Sequence, residues 1–107
     1  MLPKIHRADT KTVEQIFKEG KFLNFPSFTF KFILTNTAER KISVLVPKSL
    51  AKLAVKRNFL RRRGYNILKK YINLFPAGLT GVLIFKKYQD DILIMENEIK
   101  NILAKTN

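Results

Sequence analysis

Apolar residues recur along this chain with two different periods. In TVEQIFKEGK, Val13, Ile16 and Phe17 fall at i, i+3 and i+4, the spacing of one helix face. Asp9 or Thr10 suits the N-cap, and Gly20 stands where a left-handed residue closes a helix. The period then drops to two. Pro26 interrupts KFLNFPSFTFKFILTN, so Phe22 to Phe25 reads as a short edge strand. From Phe28 onward, Phe28, Phe30, Phe32 and Leu34 point one way, and Thr29, Lys31, Ile33 and Thr35 the other. NTAER reads as a hairpin turn into a third strand, KISVLVP. Ile42, Val44 and Val46 take its core side, and Ser43 and Leu45 share the side of Lys31. A long helix follows over roughly Leu53 to Leu74, then a Gly- and Pro-containing loop, FPAGLTG. VLIFKK is a nearly all-apolar strand, as expected of one covered on both faces or lying centrally. QDDILIMENEIKNILAK closes the chain as an amphipathic helix with the stripe Ile92, Met95, Ile99, Ile102 and Leu103, and Asp90 and Asp91 suit its N-terminus. The order α-β-β-β-α-β-α predicts an α+β fold, a two-layer α/β sandwich of helices on one sheet. Residues 1–107 show no linker or repeat and read as one domain.

Charge changes this picture. The formal net charge is +13, yet 46% of residues are hydrophobic and nine are Phe, so this is a folded domain and not a basic disordered tail. Thirteen Lys or Arg lie between Arg40 and Gln89 with no acid among them, whereas the other eight basic residues match eight acids. The excess therefore sits in mid-chain, where a polyanion is the fitting partner.

The long helix concentrates it. At about 100° per residue, Leu60, Gly64, Ile67, Leu68 and Tyr71 share one arc, which packs on the sheet. Arg57, Arg61, Tyr65, Asn58, Lys69 and Arg62 follow one another round the opposite arc, with Lys56 in support. An ordinary exposed face offsets repulsion with Glu–Lys pairs, and this one holds no acid. Arg offers a planar fork to phosphate oxygens, Asn a donor and an acceptor, and Tyr a ring for stacking. The pattern points to a nucleic-acid-binding helix that follows a phosphate backbone.

The same residues carry a resemblance. AVKRNFLRRR resembles the signature of the bacterial ribonuclease P protein subunit: an Arg-Asn-Arg run, an apolar residue and two basic residues, following an Ala. Ala54, Arg57, Asn58, Leu60, Arg61 and Arg62 fall on it. TVEQIFKEGK is similar to that family's first helix, and FTFKF and KISVLVPKS to its strands and the basic loop after them, here with Lys48 and Lys52. Three positions depart. Phe59 replaces the third member of the run, with Arg63 a candidate substitute for the lost charge. Gly64 and Tyr65 stand where the family usually has an apolar and a basic residue, and Val13 where it often has an aromatic. The resemblance implies a ribosomal protein S5 domain 2-like fold with a left-handed crossover from the third strand through the basic helix to the fourth. It implies a protein subunit of ribonuclease P that binds the catalytic RNA and the 5′ leader of precursor tRNA. Chemistry is then expected in the RNA with its magnesium, with no catalytic residue, cofactor or metal in this chain and no protein partner required. Val13, Phe17, Thr29, Lys31 and Ser43 match the leader cleft.

Other readings are narrower. There is no Cys, so disulfides and thiolate metal sites are excluded. No apolar run approaches the ~20 residues of a membrane span, and the N-terminus lacks the apolar core of a secretory signal. A cytoplasmic protein is expected, and attachment to an anionic membrane surface is a weaker alternative. His6 sits beside Arg7 with no adjacent carboxylate to orient it, so it is a poor general base. The alternatives are a ribosomal or ribosome-associated RNA-binding protein and a DNA-binding module whose basic helix enters the major groove.

Overall fold

The computed structural model describes the backbone of residues 10–106 and the side chains of residues 14–106. His6, Asp9 and the side chains of Thr10 and Val13 lie outside the described residues. The elements are α1 (Thr10–Glu19), β1 (Lys21–Asn24), β2 (Phe28–Leu34), β3 (Lys41–Leu45), α2 (Ala54–Tyr71), a 3-10 turn (Ile72–Leu74), β4 (Leu79–Phe85) and α3 (Ile92–Thr106).

The strands lie in the order β1-β2-β4-β3. β2 is antiparallel to both β1 and β4, and β3 is parallel to β4. The expected β2–β3 hairpin is therefore absent: β4 inserts between the two strands. The segment after β2 arches over the entry to β4. Thr35 N–H donates to Gly78 O at 2.8 Å, and Gly78 N–H donates to Glu39 O at 3.1 Å. Gly78 takes φ +83°, and a Cβ there would lie 2.3 Å from Thr35 O. A short polar loop between two strands reads as a hairpin because consecutive strands usually pair. Only the late strand reveals otherwise.

One face of the sheet carries the main core. Leu23, Phe30, Leu83 and Val44 are register neighbours across all four strands. Phe28 meets Phe85 edge-on at 4.8 Å, and Phe30 stacks on Phe32 at 5.6 Å. Gly81 makes room for this: a Cβ there would lie 2.7 Å from the tip of the Phe30 ring. α2 and α3 cover the face, contributing Leu60, Ile67, Leu68, Met95, Ile99 and Ile102 to one buried cluster. α2 approaches β3 closely at Gly64, whose Cβ position is 3.2 Å from Val44 Cγ1.

α1 contacts β2 and β4 and lies on the opposite face. Ile16 and Val82, both fully buried, fill the space beneath it. Gly20 ends α1 without the left-handed conformation expected of it. Its role is space, since a Cβ would lie 2.4 Å from Ile16 O and 3.0 Å from Phe32 O. The stripe of α3 also needs correction. Ile92 is 47% exposed because the first turn of α3 stands clear of the core, and Glu98 takes a buried place that the sequence did not suggest for it. Glu98 Oε1 accepts the Ser27 N–H at 2.8 Å and so pins the turn before β2. Asp91 caps α3 as expected, accepting the amides of Leu93 and Ile94.

Candidate nucleic-acid interface

α2 begins without a side-chain cap and without an acid in its first turn. Cations near a helix N-terminus oppose its dipole, so Lys56 and Arg57 do not serve helix stability there. Arg57 Nη1 instead donates to the carbonyls of Ala51 and Lys52, at 3.0 and 2.9 Å, and shapes the basic loop. A guanidinium has five N–H donors, and these two bonds use one nitrogen. Arg61 Nη2 donates to Asn58 Oδ1, holding the two predicted RNA contacts as one unit. Lys48, Lys52, Lys56, Asn58, Arg61, Arg62 and Lys69 are all exposed. Among the described residues the ion pairs are Lys41–Glu39 and Lys70–Glu96. Neither touches that stripe.

Two residues of the helix behave differently from the sequence reading. Tyr65 is not an RNA-facing residue: it is 5% exposed, and its hydroxyl accepts the Val44 N–H at 3.1 Å. β3 is an edge strand, so this amide has no strand partner on its outer side, and the Tyr65 hydroxyl meets it. Arg63 does not restore the cation lost at Phe59 on the stripe. Its guanidinium stacks over the Phe59 ring at 4.4 Å, and Nη1 donates to Asp90 O at 2.5 Å, which ties α2 to the start of α3. Further along, Tyr71 donates to Glu96 Oε1 at 2.5 Å. That bond, more than the nearby Lys70 and Lys100, holds the Glu96 carboxyl below its ordinary pKa, and the same bond raises the Tyr71 phenol.

The second surface is the face of the sheet beside α1. Phe22, Lys31, Val82 and Ser43 form one row across it, and Asn24, Thr29, Ile84 and Leu45 the next. Lys31 Nζ lies 4.6 Å from the Phe17 ring centroid, and Phe17 is 45% exposed. Thr29 donates to Asn24 at 3.0 Å. The structure thus places Lys31 and Thr29 on the sheet face beside α1, with Phe17 of α1 against Lys31. Ser43 lies on the same row but is 8% exposed, so it offers almost no surface to a ligand. Phe22, at 62% exposed, is the aromatic the sequence reading missed. Its alternation with Leu23 was the available signal, since Phe22 is the register partner of Lys31.

A basic helix face and a sheet face where exposed aromatics flank a lysine are the parts of an RNA-binding protein. The family model for ribonuclease P matches residues 3–107. The chain belongs to the ribonuclease P protein family. It is accordingly a protein subunit of an endoribonuclease that processes tRNA as a ribonucleoprotein, with an RNA subunit as partner. The fold is that of the ribonuclease P protein from Thermotoga maritima, at 23% identity over 94% of this chain and 97% of that one, with a TM-score of 0.83. The Staphylococcus aureus ribonuclease P protein matches at 20% identity over 96% and 98% of the two chains, with a TM-score of 0.82. No curated protein sequence matches. Among the described residues no helix is long and apolar enough to cross a membrane, and no three His, Cys, Asp or Glu gather as a metal site.

Proposed function

We propose that the exposed face of α2 docks this protein on ribonuclease P RNA and that the groove between α1 and the sheet holds the 5′ leader of precursor tRNA. The observation that carries the reading is the geometry of the two surfaces. One is an unpaired cationic stripe suited to a phosphate backbone, and the other a Lys31–Phe17 pair suited to an extended single strand. Phe17 stacks a base and Lys31 meets phosphate, which tolerates variable sequence. Magnesium held by the RNA supplies the cleavage chemistry in this reading. The protein's own residues bind and align, in the cytoplasm.

The test is cleavage of precursor tRNA by a bacterial ribonuclease P RNA at low magnesium, with and without the protein. Stimulation that grows with leader length is expected. Arg57→Ala with Arg61→Ala should weaken RNA binding and reduce the slope of log affinity against log salt by about one per lost phosphate contact. Absence of stimulation together with tight binding to ribosomal RNA would assign the helix to a different partner.

A further inference from the structure

Phe59 stands where the family signature carries a third cation, and the structure gives that position a different setting. Its ring is half-buried and packs against the core cluster. The Arg63 guanidinium lies over the ring, 4.4 Å from its centroid. Arg63 Nη1 also donates to Asp90 O at 2.5 Å, so the guanidinium is held at one edge as well as on one face. Core, ring and guanidinium are successive layers, and the outermost is a flat cation. A ligand that stacks on it orders nothing new, because the side chain is already fixed.

The surroundings are apolar. Phe59, Arg63 and Lys70 are spaced by four and seven residues and lie along one flank of α2. α3 runs beside that flank: Arg63 meets Asp90 just before it, and Tyr71 and Lys70 meet Glu96 within it. Ile92 and Leu93 open α3 there, and Leu93 is 74% exposed. A phosphate gains nothing from such a surface, whereas a base or its ribose does. Asn58 and Arg62, each next in sequence to a member of the stack, are exposed on the basic stripe. The apolar flank is therefore continuous with the stripe.

We infer that the Arg63–Phe59 pair is a stacking platform for one unpaired base of the RNA docked on α2. The base lies on the outer face of the guanidinium, with Leu93 at its rim. The inference rests on the reading that α2 faces ribonuclease P RNA. It adds to the phosphate contacts of the stripe one contact that releases no counterion.

The experiment measures binding of this protein to a bacterial ribonuclease P RNA across a salt series, with chemical probing of the RNA bases. Phe59→Leu keeps apolar volume and removes the ring. Arg63→Lys keeps the charge and removes the plane. Each should weaken binding about tenfold, within the range of one base stack, with the slope of log affinity against log salt as in wild type. One unpaired base should be protected by the wild-type protein and reactive with either variant. Thermal unfolding shows whether each variant is folded at the binding temperature, and Arg63→Lys carries the same test if Phe59→Leu is not. Wild-type affinity and protection in a folded variant would overturn the platform and leave the stack as a tie between α2 and α3. Weakened binding with a shallower salt slope in Phe59→Leu would overturn it too, since that is the mark of lost phosphate contacts. Unchanged affinity and slope in Arg57→Ala with Arg61→Ala would overturn the docking of α2 itself.

Discussion

Tyr65→Phe separates a core residue from an RNA contact. The substitution keeps the ring and its packing between α2 and β3. It removes only the oxygen that accepts the Val44 N–H at 3.1 Å. Val44 is buried on an edge strand with no further strand outside it, so neither water nor a neighbour replaces the lost acceptor. Leaving a buried donor unsatisfied costs about 1–3 kcal/mol. For a domain near this length, 2 kcal/mol lowers Tm by roughly 10 °C. Thermal unfolding followed by circular dichroism should show that drop. Affinity for ribonuclease P RNA, measured well below the variant's Tm, should stay within about twofold, with the same salt slope. An unchanged Tm with weakened RNA binding would refute the argument and return Tyr65 to the basic face.

Gly81→Ala puts a Cβ 2.7 Å from the Phe30 ring and 3.0 Å from Lys31 O on the central strand. Overpacking of this kind costs about 1–3 kcal/mol, and a wild-type urea midpoint would show the ring moving aside freely. Phe17→Ala should raise KM roughly tenfold for precursor tRNA with a leader, since a base stack contributes about 1–3 kcal/mol. Equal loss on leaderless substrate would mean that Phe17 does not touch the leader. The Tyr71–Glu96 bond predicts a pH dependence. Glu96 is held below its ordinary value of 4.5, so its stabilisation is full above that pH and lost as pH falls through the lowered folded value. Tyr71 is raised above 10.0, so its share is full below that pH and lost as pH climbs through the raised value. Tyr71→Phe removes the bond that dominates both shifts, so the variant's urea midpoint should fall less than wild type between pH 5 and 3. Parallel curves for the two proteins would sink that assignment.

Alternation in FTFKFIL made β2 and its two faces legible, because a strand's period is set by covalent geometry alone. The register then confirmed that Lys31 and Ser43 share a side. Charge made the α2 face legible for a similar reason, since an acid-free helix needs no tertiary knowledge to be recognised. Tyr65 was not legible. Its wheel position lies between Arg61 and Asn58, and only the nearby unpaired edge of β3 explains why the long ring leans inward. The pairing of β2 with β4 was hidden because the segment that separates β2 from β3 lies far along the chain. Ser43 was placed on the correct face, but alternation does not report how deeply a side chain is enclosed.

The position of β4 has a consequence for how this chain is made. Its central strand begins at Leu79, whereas the strands on either side of it end at Leu34 and Leu45. Until that late segment leaves the ribosome, β2 has only the four-residue β1 beside it, and β3 has no strand partner at all. At about 5–20 residues per second, β3 waits some seconds for its neighbour. The nascent chain thus has no early half able to stand alone. The sheet closes in one step, like an arch on its keystone, and a chain stopped before β4 carries the basic helix without a surface to hold it.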